Sequence, residues 1–84
     1  MIGPPSVTLD EIQTRMVGDL TEVVVGFINS GAEAETVQVE ITHGGALLDT
    51  QELRLPADGG TDAVVVNVAP RVRTITLNGE KIRI

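Results

Sequence analysis

The chain has 84 residues, the size of one domain, and its net charge of −6 speaks against non-specific nucleic-acid binding. It contains no cysteine, which excludes disulfides and thiolate metal sites; this suits a reducing compartment without requiring one. Val, Ile and Thr supply 28 of the 84 residues, and nine glycines with four prolines provide turn residues, so the composition points to a β-sandwich or barrel.

Residues 1–6 (MIGPPS) lack the basic start and apolar core of a secretory signal. Pro4-Pro5 removes two backbone donors, and this stretch is expected to be a flexible lead-in to a single domain over residues 7–84. Residues 7–12 (VTLDEI) read as a first strand with Val7 and Leu9 facing inward. Asp10 to Asp19 admits either one helical turn or a second short strand after a bulge, and Gly18-Asp19 is a turn. The stretch around which the chain is organised follows, Thr21–Gly31 (TEVVVGFINSG). It holds the only aromatic residue, Phe27, and three consecutive valines suited to a crowded pleated surface. Period two puts Val23, Val25, Phe27 and Asn29 on one face and Val24, Gly26 and Ile28 on the other. Apolar on both faces, it reads as a strand buried on both sides or lying centrally in a sandwich. Gly26 implies close approach of another backbone, or a bulge.

Residues 36–43 (TVQVEITH) alternate cleanly, with Val37, Val39 and Ile41 inward. After His43-Gly44-Gly45, residues 46–55 (ALLDTQELRL) alternate more weakly, with Leu47, Gln51, Leu53 and Leu55 sharing a parity; they form one long strand or two short ones. A turn at residues 56–60 leads to a strand with Val64, Val66 and Val68 on one face, interrupted at Ala69-Pro70. Near the end, Asn78-Gly79 lies between two alternating runs, the strongest short-range signal for a type I′ hairpin. That turn sets Leu77 opposite Glu80, Thr76 opposite Lys81, Ile75 opposite Ile82 and Thr74 opposite Arg83. It gathers Ile75, Leu77, Ile82 and Ile84 on one face. The whole reads as an all-β, immunoglobulin-like antiparallel β-sandwich of about seven strands with a C-terminal Asn-Gly hairpin. A partly open barrel is the alternative.

The run from Gly18-Asp19 through Asn29-Ser30-Gly31, the strand 37–41, Gly44-Gly45, Leu55-Pro56, Asp58-Gly59-Gly60 and the valine strand 64–68 resembles CARDB-type modules. These are immunoglobulin-like domains of bacterial and archaeal surface proteins. The resemblance covers about residues 18–70. The acidic, asparagine-rich closing segment usual in such modules is replaced by the Asn-Gly hairpin. The resemblance implies a non-enzymatic adhesive or spacer module and carries over no functional residues.

Catalytic constellations are not visible. His43, the single histidine, sits beside a double-glycine turn and reads as a solvated residue rather than a base, because no triad partners accompany it. Asp58 and Asp62 lack the fuller ligand pattern of calcium loops and read as turn residues. Glu33 and Glu35 read as solvated loop charges. With Phe27 as sole aromatic, stacking of sugars or bases loses its usual platform. No enzyme activity, cofactor, metal or small-molecule ligand is expected. No apolar run is long enough for a membrane-spanning helix.

Charge is the remaining signal. Residues 63–84 carry Arg71, Arg73, Lys81 and Arg83 against Glu80, whereas the preceding residues hold eleven acids against Arg15 and Arg54. Arg71, Arg73, Thr74, Thr76, Lys81 and Arg83 therefore form the candidate protein-interaction face. Its basic groups either pair within the chain, Glu40 being the expected partner, or meet an acidic surface on another copy or a scaffold. The expected function is a structural assembly module that partners itself or a scaffold. The favoured setting is a virion, in a capsid-decoration or tail-associated role, or an extracellular surface. A chain that remains inside the cell, or a piece of a larger surface protein serving as spacer, is the alternative.

Overall fold

The structure, a computed structural model, describes residues 2–84. Seven strands follow one another: β1 (Val7–Val17), β2 (Leu20–Asn29), β3 (Glu35–His43), β4 (Ala46–Leu55), β5 (Gly60–Val68), β6 (Thr74–Leu77) and β7 (Glu80–Arg83). They form two antiparallel sheets, β1-β2-β5 and β4-β3-β6-β7, packed as an immunoglobulin-like sandwich. The fourth strand lies beside the third rather than at the edge of the other sheet, where the seven-strand constant-type arrangement puts it. The inward faces are those the alternation marks. Val23, Val25 and Phe27 of β2, Val37, Val39 and Ile41 of β3, Val64, Val66 and Val68 of β5, and Ile75, Leu77 and Ile82 of the last hairpin are all buried in one core. Asn29 shares the inward face of β2 and is fully buried.

The second face of β2 is not covered by another layer. Val24, Gly26 and Ile28 are half-buried by their neighbours on β1 and β5, so β2 is central by position within its sheet. The bulge implied by Gly26 lies in β1 beside it: pairing slips between Leu9 and Glu11, and Glu11 then sits opposite Gly26. A Cβ on Gly26 would lie 3.6 Å from the Glu11 carbonyl oxygen. Of the two readings of Asp10 to Asp19, the strand after a bulge is therefore the one observed, continuous to Val17, and the helical turn is not. The bulge also changes parity, and Ile12, Thr14 and Met16 take the inward positions opposite Val25, Val23 and Thr21. Leu9 does hold an inward position, opposite Phe27, yet it remains 48% exposed.

A second bulge corrects the reading of β4. Thr42 pairs with Leu47 but Ile41 pairs with Asp49, so Leu48 is the extra residue. Leu53 and Leu55 are buried as expected, whereas Leu47 is turned to the outer face and is 61% exposed. A one-residue slip moves every side chain beyond it to the other face.

The C-terminal hairpin has the register its sequence specifies, from Leu77 opposite Glu80 to Thr74 opposite Arg83. Asn78 (φ 49°) and Gly79 (φ 80°) carry the two positive φ angles of a type I′ turn. Asn78 also continues β6 with its side chain. Its Oδ1 accepts from the Glu40 amide at 2.8 Å, and its Nδ2 donates to the carbonyls of Gln38 (2.8 Å) and Ile2 (3.0 Å). Residues 2–6, expected as a flexible lead-in, fill the space that this short hairpin leaves beside β3. Ile2 joins the core, the Val7 amide donates to the Pro4 carbonyl, and the Ser30 amide donates to the Ser6 carbonyl. Met1 lies outside the described residues.

Candidate interaction surface

The sandwich has two long sides, each formed by two strand edges facing across the layers. On the β4/β5 side the edges are joined by side chains. The Gln51 amide acts as a short strand: its Nε2 donates to the Val65 carbonyl, and its Oε1 accepts from the Val65 amide at 3.1 Å. Asp49 Oδ2 accepts from the same Nε2 at 2.8 Å and orients it. Further along, Asp62 accepts from the Arg54 amide of the facing sheet and from the Ala63 amide, both at 2.8 Å. Asn29 locks the corner. Its Nδ2 donates to the carbonyls of Glu33 (2.8 Å), Leu55 (3.2 Å) and Pro56 (3.3 Å), and its Oδ1 accepts from the Gly31 amide at 2.9 Å. The inward-parity positions Asp49 and Gln51 are thus polar because the facing edge needs partners.

The β1/β7 side is built differently. Its edges bound an open cleft of about 720 Å³, lined by Val7, Leu9, Ile12 and Ile82 together with Glu80, Lys81 and Arg83. A second, smaller hollow of about 320 Å³ continues between Thr14 and Met16 of β1 and the Pro70–Arg73 loop, with Ile84 on its wall. Both strands here are the outermost strands of their sheets, the position most open to pairing with another chain.

The structure brings four of the six candidate interface residues onto one surface. Thr74, Thr76, Lys81 and Arg83 share the outer face of the β6–β7 hairpin, and Arg71 and Arg73 stand exposed in the loop before it. Arg73 Nη1 donates to the Pro70 carbonyl at 2.9 Å, while the Arg73 carbonyl accepts from the Ile84 amide at 2.9 Å. Glu40 does not pair with this face. Its cross-strand partner on β4 is Thr50, and on the other side its backbone, not its carboxylate, meets Asn78. Among the described residues the ion pairs are Arg15–Glu22 (2.8 Å) and Arg54–Glu52 (3.2 Å), and they leave Arg71, Lys81 and Arg83 without an acidic partner. Glu22 raises the Arg15 pKa above its ordinary value, first by the hydrogen bond it accepts and then by its charge.

No protein family, curated protein or solved structure matches the chain. The surface therefore has to be read from its own chemistry.

His43 is exposed, and its Nδ1 lies 3.1 Å from the Thr74 carbonyl. A carbonyl only accepts, so Nδ1 carries the proton and the ring ties the β3–β4 turn to the start of β6. Asp58 (φ 58°) is a turn residue, and Asp62 is an edge-sealing residue. No group of three His, Cys, Asp or Glu among the described residues is placed to hold a metal. Of the apolar lining, Leu9 and Ile82 read from the alternation as ordinary core residues, Ile12 turns inward only through the bulge, and nothing in the alternation shows that the opposing layer stops short of Leu9. The cluster Asp10-Glu11, beside an inward-facing leucine, was the one available signal.

Proposed function

We propose that this domain is a non-catalytic assembly module that packs its β1/β7 side on another protein surface, either its own copy or a larger scaffold. The observation that carries the reading is the difference between the two sides. One has edge groups met by Gln51, Asp62 and Asn29; the other presents an apolar cleft beside Lys81 and Arg83, which have no acidic partner among the described residues. Exposed apolar surface rimmed by polar and charged residues is a mark of interaction sites. A virion component, in capsid decoration or tail association, is the setting that best suits a small domain with polarised charge. The pattern of residues 18–70 supports a second reading, an adhesive or spacer module within a larger cell-surface protein.

The test is the mass in solution by light scattering at low and high salt, combined with amide hydrogen exchange. Association that protects the β1 and β7 edge amides supports the assembly reading. Association that protects only the outer faces, with those edges exchanging freely, places the contact elsewhere and removes the basis for it.

A further inference from the structure

We infer that the β1/β7 side is covered by a second copy of this chain, related by a two-fold axis parallel to the strands, with Asp10 and Glu11 of each copy opposite Lys81 and Arg83 of the other. The inference rests on the assembly reading above and names its partner.

Three observations lead there. First, the two rims of the cleft carry opposite charge. On β1, Glu11 pairs with Gly26 and so faces outward, with exposed Asp10 at the bulge beside it. On β7, Lys81 and Arg83 face outward opposite Thr76 and Thr74. Secondly, these four groups are largely unspent. Among the described residues Asp10, Lys81 and Arg83 have no side-chain partner, and Glu11 accepts a single long bond of 3.5 Å from Gln13. Thirdly, β1 and β7 run in the same direction and stand at the same level, since Val7 to Ile12 and Glu80 to Arg83 line one cleft.

These facts choose the symmetry. A two-fold axis along the strands keeps each residue at its level and exchanges the layers, so the β1 edge of one copy meets the β7 edge of the other. The acidic rim then meets the basic rim twice, as an isologous contact requires. A two-fold axis normal to the sheets would instead set β7 against β7 and place Lys81 and Arg83 against their own copies. Like charges in that position disfavour it. With the first axis, Leu9, Ile12 and Ile82 of both copies face one another and lose water together. The contact runs along one narrow side of a molecule measuring 40 × 23 × 17 Å and leans on exposed charges, so the dimer is weak and salt-sensitive.

The experiment uses two charge-reversed chains, D10K/E11K and K81E/R83E, with the unaltered chain, each checked for a cooperative melt. Light scattering at millimolar concentration and low salt should show the unaltered chain as a dimer and each variant alone as a monomer. An equimolar mixture of the two variants should return to dimer, because every contact in the mixed pair joins opposite charges. L9E should be monomeric under all conditions. An unaltered chain that stays monomeric overturns the second copy as partner and leaves assembly on a scaffold standing. A dimer that survives both reversals overturns this contact alone. Variants that dissociate but do not recombine overturn the two-fold pairing, since loss without complementation shows only a general effect of charge.

Discussion

The two long sides of this sandwich solve the same problem in opposite ways. Each has two strand edges that face each other across the core with backbone groups to satisfy. On the β4/β5 side Gln51 lends its amide to Val65, Asp62 reaches the Arg54 amide, and Asn29 binds three carbonyls at the corner. On the β1/β7 side the edges instead bound an open cleft lined by apolar residues of both strands. The difference shows that open edges are not forced by the small size of the chain. The fold has the means to seal an edge and uses them on one side only. Sealing supplies stability within the chain, whereas on the proposed reading the open side makes its contacts with another chain.

Four substitutions separate these roles, in order of expected effect on the fold. Asn29→Ala should cost most, about 3 kcal/mol, because it strands several buried or half-buried backbone groups on the sealed side. The melting temperature should fall by roughly 12–24 °C for a domain of this size. Gly79→Val should follow at about 2 kcal/mol or more: a Cβ there meets open space, but a β-branched residue is strained at φ 80° whatever room it has. Thermal melts and faster exchange of the β7 amides would register it; an unchanged melt would contradict the turn geometry. Gln51→Ala should cost about 1–2 kcal/mol by removing both bonds to Val65, and Gln51→Glu should not rescue it because the donor is lost. Leu9→Ser, on the open side, should alter monomer stability by no more than about 0.5 kcal/mol, as exposed positions usually do, yet weaken association. Were Leu9→Ser as damaging as Gln51→Ala to the monomer, the contrast between the sides would collapse.

Acidity and alkalinity bear little on this contrast. A raised guanidinium pKa contributes stability below its unfolded value and loses it only as the pH climbs through the folded one, so the Arg15–Glu22 pair adds no pH dependence from the arginine in the neutral range. Salt is the better probe, because the arginines of both ion pairs and the basic rim are exposed.

What could be read in advance depended on whether two local signals agreed. At residues 74–83 the turn chemistry and the alternation both specify one register, and the hairpin has it. At residues 36–41 the alternation is uninterrupted and needs no turn to fix it. The difficulties fall where one inserted residue shifts parity: at Asp10 in β1, where a helical turn and a strand after a bulge both stood open, and at Leu48 in β4, which turns Leu47 outward. Neither bulge carries a glycine of its own, and the nearest mark, Gly26, is on the partner strand. Ile2 was missed for another reason. A single apolar residue before Gly-Pro-Pro has no periodicity, and only the shortness of the last hairpin makes room for it. The basic face was legible because charge needs no register. Its failure to pair with Glu40 was not, since Asn78 takes the place beside that residue.

Asn78-Gly79 carries one further consequence, which concerns chemical ageing. Asparagine followed by glycine is the pairing in which the next backbone nitrogen most readily attacks the side-chain amide, releasing ammonia and leaving aspartate or isoaspartate. In the folded chain that amide is held at both ends, by the Glu40 amide and by the carbonyls of Gln38 and Ile2. Attack requires these bonds to open. Once it has happened, the new carboxylate can no longer donate to Gln38 and Ile2, so the hairpin and the N-terminal segment loosen together. Each conversion also adds one negative charge beside Lys81 and Arg83. A preparation that drifts toward lower isoelectric point on storage thus keeps a cumulative record of how often its last hairpin has opened.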